Sequence, residues 1–282
     1  MLDKQSEALL KQVSRANIER TVRELAAFPT RHTRSRYLGP VADLLVRRLR
    51  GFGYRDVALR PYTVGALRLN NVVCAKPGAT KATILIGAHF DSRMERENDA
   101  DARAPGASDN ATGVAALLEA ARLLAPIKLR DTVQFVLFSG EEQGLWGSTA
   151  YAREVKKTNL PLRFVFNIDQ VGYPGKRRAI NVDRDEGNVS RENDAASRRL
   201  VETVQQLAKR YVSVPTVVDP AYGSDYMPFE AQGYPIVGLY EGEGYPDYHK
   251  MTDTPDKVDF AFVAEVAKLT LATLLYEAGR AL

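Results

Sequence analysis

Hydrophobic residues recur along this chain of 282 residues at two spacings, one typical of helices and one typical of strands. The N-terminal part has the helical spacing. It predicts one helix over residues 5–28, ended by Pro29, and a second helix over about residues 40–50. The spacing then changes, and residues 57–64 and 67–75 are predicted to form two consecutive strands.

From residue 82 onward, short apolar runs alternate with amphipathic segments. The runs predict strands at residues 84–86, 133–138, 164–168, 179–182 and 236–239. The amphipathic segments predict helices at residues 111–124, 144–154, 195–211 and about 257–280. Strands that alternate with helices are typical of α/β folds. We therefore predict a single α/β domain over residues 1–282, with a mixed, mostly parallel β-sheet flanked by helices and an N-terminal helical segment at about 5–50.

The composition excludes several classes of protein. Apolar residues make up 45% of the chain and charged residues 26%, as in an ordinary globular domain. The net charge of +4 is spread along the sequence rather than gathered in a stripe, so we expect no nucleic-acid partner. No apolar run is long enough to span a membrane, and the N-terminus lacks the apolar core of a signal peptide.

Chemically useful residues follow three of the predicted buried strands. These residues, with one aspartate from the loop before the helix at 111–124, are His89, Asp91, Asp109, Glu141, Glu142 and Asp169. In open α/β sheets the ligand crevice lies at the carboxyl ends of the strands. We therefore expect these side chains to converge at one edge of the sheet.

Such a cluster of carboxylates needs a positive charge, because unpaired carboxylates in a dry cleft repel each other. The sequence shows no suitable basic residue in these segments, so a divalent metal is the natural counter-charge. The chain has one cysteine, which rules out a four-cysteine zinc site, and only three histidines, His32, His89 and His249. Five histidine and carboxylate ligands are too many for one open four-coordinate ion and favour two ions that share a carboxylate.

Five segments in order resemble the di-zinc aminopeptidases, the group that includes bacterial leucyl aminopeptidase and aminopeptidase Y. The segments are Gly87-Ala88-His89-Phe90-Asp91-Ser92, residues 104–113, residues 140–148, Asn167-Ile168-Asp169 and residues 248–254. Each is weak alone, whereas the ordered set is specific. The resemblance runs from about residue 28 to the last helix and implies a fold of the zinc-exopeptidase type.

The resemblance also implies a role for each matching residue. His89 and Asp169 would hold one zinc ion, Glu142 and His249 would hold the other, and Asp109 would bridge both. Two further residues would be catalytic. Glu141 would be the general base, and Asp91 would accept the second N–H of His89 and fix its tautomer. A cis peptide bond would join Asp109 to Asn110.

These roles imply a metal-dependent aminopeptidase that cleaves N-terminal peptide bonds. Its cofactors would be two divalent metal ions, most simply Zn²⁺, and Glu141 would act on a water activated by the two metals. Its partner would be a peptide or a small peptide-like substrate. The sequence does not define the oligomeric state and is compatible with a monomer.

Aromatic residues near the C-terminal motifs are candidates for the substrate pocket. They are Tyr222, Tyr226 and Tyr240, with Phe229 nearby, and they would favour an apolar N-terminal residue. The family often has Ser-Asp-His where this chain has Ser224-Asp225-Tyr226, which leaves substrate contacts there in question. His32 is expected to be structural or peripheral.

Other functions occur on related folds. A glutaminyl-cyclase-like activity is disfavoured because all five ligands and Glu141 are present. A carboxypeptidase-like activity would need an arginine cluster, which the sequence does not place at the site. A metal-free protein-binding domain would be expected to have lost ligands. The resemblance favours a periplasmic or secreted protein, although no signal peptide is present in this chain.

Overall fold

The computed structural model describes residues 1–187, 189–221, 223–241 and 244–280. Its helices are α1 Lys4–Leu10, α2 Arg15–Ala26, α3 Leu38–Gly51, α4 Gly113–Leu124, α5 Trp146–Lys157, α6 Asp194–Tyr211, α7 Met227–Glu230 and α8 Phe260–Ala278. Its strands are β1 Val57–Val64, β2 Leu67–Lys76, β3 Thr83–His89, β4 Thr132–Phe138, β5 Leu162–Ile168, β6 Ile180–Arg184, β7 Thr216–Pro220 and β8 Ile236–Tyr240. Short irregular turns of helix cover Ala107–Thr112 and Pro255–Lys257.

The described strands form one sheet in the order β1-β2-β4-β3-β5-β8-β6-β7. The four central strands, β4, β3, β5 and β8, are mutually parallel. Antiparallel pairs join β1 to β2, β2 to β4 and β6 to β8. The predicted single α/β domain with a mixed, mostly parallel sheet is therefore confirmed.

Strand β3 runs through the middle of the protein and is buried along its whole length. Successive side chains of a strand point to opposite faces of the sheet. Ile84 and Ile86 accordingly lie in the larger hydrophobic core, which α4 and α8 also line, whereas Leu85 lies in the smaller core beside α5 and α7. Burial on both faces explains why the sequence here is a continuous apolar run.

The predicted helix over residues 5–28 is in fact two helices, α1 and α2. Ser14 separates them, because its hydroxyl accepts a hydrogen bond from the backbone N–H of Asn17 and caps α2. Serine is far better suited to this N-cap position than to a helix interior. The backbone N–H of Ser14 also donates to Glu119 on α4, which ties this break to the main core.

Two short elements were not predicted from the sequence. Strand β7 lies at the edge of the sheet and is only half-buried, so it lacks the apolar run that marked the central strands. Helix α7 has only four residues, too few for a helical period to be visible. No helix among the described residues is long and apolar enough to cross a membrane.

Candidate metal centre

Three neighbouring parallel strands end at the site. His89 is the last residue of β3, Glu141 and Glu142 lie just after β4, and Asp169 directly follows β5. Because β3 pairs with both β4 and β5, the carboxyl ends of the three strands meet at one edge of the sheet. The predicted convergence of these side chains is present in the structure.

Asp109 lies between the two imidazoles of the site. Its Oδ1 is 3.3 Å from His89 Nε2, and its Oδ2 is 3.0 Å from His249 Nε2. The other neighbour of His89 Nε2 is Asp169 Oδ1, at 3.1 Å, whereas that of His249 Nε2 is Glu142 Oε2, at 3.0 Å. The five residues therefore form two sets that share Asp109, in the partition that the resemblance implied.

The atoms of these sets suit a metal. His89, Asp109 and Glu142 each offer one ligand atom, and these atoms lie within 4.8 Å of one another. Within the described ranges, His249 Nε2 and Glu142 Oε1 are buried without a hydrogen bond of acceptable geometry. Buried polar atoms normally have a partner, and imidazole nitrogen with carboxylate oxygen is a donor set that zinc accepts.

The protein's own charges show why such a cluster needs a cation. Burial raises the pKa of Glu141 well above its ordinary value, and the charges of Asp169 and Glu142 raise it further, against the opposing effect of His89. Burial works against a charged His249, yet its contacts with Asp109 and Glu142 raise its pKa to about 9. The site thus favours positive charge beside its carboxylates, as a divalent ion would supply.

Glu141 lies beside the His89 set. Its Oε2 is 4.0 Å from His89 Nε2, and its side chain keeps some exposure to solvent, unlike that of Asp91. The position fits a group that exchanges protons with a reactant above the centre.

Contrary to the prediction, Asp91 does not form a hydrogen bond with His89. Its Oδ1 is 3.7 Å from His89 Nδ1, which is too long for a hydrogen bond, and Nδ1 has no partner among the described residues. Instead the carboxylate accepts the backbone N–H groups of Glu141, at 3.3 Å, and Glu142, at 3.2 Å. Asp91 is fully buried and therefore positions the segment that carries Glu141 and Glu142.

Asp253 supports the backbone beside Asp109, a role that was not assigned from the sequence. Its carboxylate accepts the backbone N–H of Ser108 at 2.8 Å and that of Asp109 at 3.1 Å. It also accepts the hydroxyl of Tyr245 at 2.7 Å, and burial raises its pKa to about 6. Asp253 lies four residues after His249, so one loop supplies both an imidazole and the support for Asp109.

Glu241 was also missed. It is fully buried and accepts Ser108 Oγ at 2.7 Å, together with the backbone N–H groups of Gly172 and Tyr173. Gln170, the residue after Asp169, donates to its other oxygen at 2.9 Å. Glu241 therefore joins the loop before Asp109 to the loop after Asp169.

Arg31 is a buried cation under the site and was overlooked in the sequence. Its guanidinium donates to the carbonyl oxygens of Phe90, Pro105 and Gly106, which belong to the segments after His89 and before Asp109. Burial lowers its pKa to about 10, against the opposing effect of nearby carboxylates.

His32 has the structural role that was expected, because it holds the loop before Ser108. It is buried, and its Nε2 lies 2.8 Å from the carbonyl oxygen of Glu97 in the loop between Ser92 and Ser108. Its Nδ1 accepts the backbone N–H of Arg34, so Nε2 is the donor to Glu97.

A second cation corrects the charge argument made from the sequence. Arg93 Nε donates to Glu142 Oε2 at 2.9 Å, so the expectation that no suitable basic residue accompanies these segments is wrong. The contact could not be read from sequence spacing, because 49 positions separate the two residues.

The aromatic residues proposed for substrate binding differ in how deeply they are buried. Tyr226 is fully buried and its hydroxyl donates to Asp183, and Phe229 is also fully buried, so neither is exposed to a substrate. Tyr240 is half-buried and donates to Gln170, and its substrate role stays a prediction. Tyr222 lies outside the described residues.

Three further features complete the site. The ring of Tyr248 is stacked on His249, with ring centroids 3.6 Å apart, and the residue is 46% exposed. The cis peptide bond implied by the resemblance is present between Asp109 and Asn110. Ser224 donates to Asp169 Oδ2 at 2.5 Å and thereby holds the ligand of the His89 set.

Comparison with known families gives a match over most of the chain. The model of peptidase family M28 matches residues 70–274. A probable zinc metalloprotease of Leptosphaeria maculans is 27% identical, over 96% of this chain and 76% of its own length. Leucine aminopeptidase 1 of Trichophyton equinum is 27% identical, over 94% of this chain and 74% of its own length.

Solved structures share the fold. The LapA aminopeptidase of Legionella pneumophila superposes with a TM-score of 0.83 at 22% identity, covering 98% of this chain and 75% of that one. A glutaminyl cyclase of Porphyromonas gingivalis superposes with a TM-score of 0.78 at 20% identity, covering 94% of this chain and 98% of that one. At these identities the likeness shows the fold alone.

Proposed function

The chain belongs to peptidase family M28, and from that premise we propose that it is an aminopeptidase with two divalent metal ions, zinc in the simplest case. The observation that carries the proposal is the position of Asp109, one oxygen of which faces His89 while the other faces His249. A single carboxylate between two complete histidine–carboxylate sets is suited to bridging two ions.

His89, Asp109 and Asp169 would hold one ion, and Asp109, Glu142 and His249 would hold the other. When bound, such ions lower the pKa of a water molecule and polarise a carbonyl group. The protein's part is to keep the five side chains in place. Asp253 does so at the backbone of Asp109, and Ser224 does so at Asp169.

Glu141 is the proposed general base. It would take a proton from the attacking water and return it to the leaving amine. Asp91 fixes the backbone N–H of Glu141, so the carboxylate of Glu141 approaches the centre from a defined position. This division leaves Glu142 free to act as a ligand while its neighbour moves the proton.

The substrate is a peptide or a small peptide-like molecule with a free N-terminus. The half-buried Tyr240 and the exposed ring of Tyr248 support a preference for an apolar N-terminal residue. Equal cleavage of leucyl and acidic aminoacyl anilides would count against this preference.

A glutaminyl cyclase is the second candidate, because the fold is shared. The geometry favours the aminopeptidase, since Asp109 is placed between two complete sets of ligands. A one-metal cyclase would need only one of them.

The test is hydrolysis of leucyl p-nitroanilide by the full chain, with N-acetyl-leucyl p-nitroanilide as the blocked control and a glutaminyl peptide as the cyclisation substrate. We expect cleavage of the free amine only, loss of activity with a chelator and recovery with Zn²⁺. Cyclisation without hydrolysis would support the second candidate. Hydrolysis that the chelator leaves unchanged would contradict both.

A further inference from the structure

Arg93 is placed asymmetrically at the centre. Its Nε donates to Glu142 Oε2 at 2.9 Å, and its Nη1 donates to the carbonyl oxygen of Met94 at 3.2 Å. The side chain is 21% exposed and that of Glu142 is 3% exposed, so the ion pair is shielded from bulk water. It is therefore a stronger interaction than a surface salt bridge.

The oxygen that Arg93 contacts is also the one that faces His249. Glu142 Oε2 lies 3.0 Å from His249 Nε2, so the guanidinium contacts the same carboxylate that an ion between Glu142 and His249 would use. The other set differs. The outer oxygen of Asp169 accepts the neutral hydroxyl of Ser224, and its inner oxygen faces His89, with no arginine paired to Asp169 among the described residues.

A guanidinium remains protonated at every physiological pH. Its positive charge repels a divalent cation a few ångströms away, and its hydrogen bond withdraws electron density from the carboxylate of Glu142. Both effects weaken the binding of the ion on the His249 side. The ion on the His89 side is less affected, because the carboxylate that Arg93 contacts, Glu142, belongs to the His249 side.

We infer that Arg93 makes the affinities of the two metal positions unequal. The position formed by Asp109, Glu142 and His249 binds its ion more weakly and exchanges it more readily. The inference rests on the proposed two-metal function. When this ion is absent, Arg93 still compensates the buried charge of Glu142, so a form with only the His89-side ion stays folded.

The experiment measures both dissociation constants of the full chain for Zn²⁺ by competition with a chelator of known affinity. Replacing Arg93→Gln removes the charge. The matched control is Arg96→Gln, an exposed arginine of the same loop, and Arg93→Lys keeps the charge. We expect wild type to show two distinct constants, and R93Q to tighten the weaker one about tenfold or more with little change in the stronger.

R96Q should leave both constants as in wild type, and R93K should keep the weaker constant within about threefold of wild type. If R93Q binds two ions with the wild-type weaker constant, the inference is overturned while the two-metal function stands. If wild type itself never binds more than one ion, the proposed function fails and the inference fails with it. Co²⁺ in place of Zn²⁺ adds an absorption spectrum for each ion, which reports occupancy independently of activity.

Discussion

The two halves of the centre are built differently. His89 and Asp169 stand at the ends of adjacent parallel strands, and their separation follows from the pairing of β3 with β5. Glu142 and His249 come from loops, and His249 has a left-handed backbone with φ of 54°. Among the residues that the structure describes, the arginine that contacts a carboxylate of the two sets is Arg93, which donates to Glu142 in the loop half.

The difference shows what each kind of framework needs. A strand end is placed by a ladder of backbone hydrogen bonds that extends through the core. A loop has no such ladder, so buried carboxylates take its place. Asp91 holds the backbone of Glu141 and Glu142, and Asp253 holds that of Asp109. The loop half should therefore be the more sensitive to changes outside the ligands themselves.

The largest effect is expected from Glu141, the proposed general base. Replacing Glu141→Gln removes the general base and should lower kcat by roughly a thousandfold, while the metal content stays at the wild-type level. The measurement is leucyl anilide hydrolysis together with metal analysis of the same sample. Near-normal turnover with unchanged metal would show that another group moves the proton.

Asp91→Asn should come next. The amide leaves only one oxygen to accept the two backbone N–H groups of Glu141 and Glu142. We expect a loss of about ten- to a hundredfold in kcat/KM, with weaker metal binding on the loop half. Because His89 does not depend on Asp91 for a hydrogen bond, an equal weakening of both ions would contradict the division into halves.

Asp253→Asn should have a smaller effect, of about tenfold on activity, because one of its two accepting oxygens is kept. The backbone of Asp109 would then be less well fixed. The matched control is Asp256→Asn, an exposed aspartate three residues along, paired with Arg23 at the surface. If D256N and D253N lose the same activity, the buried contact to Asp109 is not what matters.

The strand half can be examined without touching a ligand. Asp183 on β6 accepts the hydroxyl of Tyr226, and burial, aided by the charge of Asp169, raises the pKa of Asp183 to about 8 from 3.8. Between these two pH values the folded state keeps a proton that the unfolded state has lost. The stability of the wild type therefore falls as pH rises through this range.

Asp183→Asn should remove that dependence, because the amide stays neutral. We expect the unfolding free energy of the variant, relative to that of wild type, to rise by up to about 1.4 kcal/mol for each pH unit between about 4 and about 8. Thermal unfolding at pH 5 and pH 8 measures it, and the gap should be larger at pH 8. A gap of equal size at both pH values would show that Asp183 is ionised throughout.

Sequence patterns anticipated the strand half well, because a buried strand is visible as an apolar run and its end marks the site. His89 and Asp169 could be placed in this way. The residues that support the ligand-bearing segments could not, since Arg31, Arg93 and Glu241 contact residues far away in the chain. The sequence shows that these charged residues are present, but it does not show which atoms they contact.

Tyr226 shows the opposite error. An aromatic residue near the site motifs was assigned to the substrate pocket, but periodicity does not say whether a ring in a short turn faces a cleft or the core. In the structure its ring lies in the smaller hydrophobic core, and its hydroxyl donates a hydrogen bond to Asp183. The substrate pocket must therefore be sought around other side chains, with Tyr240 as the one retained from the sequence.

If the two halves of the centre share Asp109, the protein should hold two ions, and these can be counted. Native mass spectrometry of the full chain, saturated with Zn²⁺ and freed of excess metal, resolves molecules with none, one or two ions. We expect a maximum of two ions per chain, with the one-ion form appearing first as zinc is withdrawn. A saturated count of one ion per chain would contradict it.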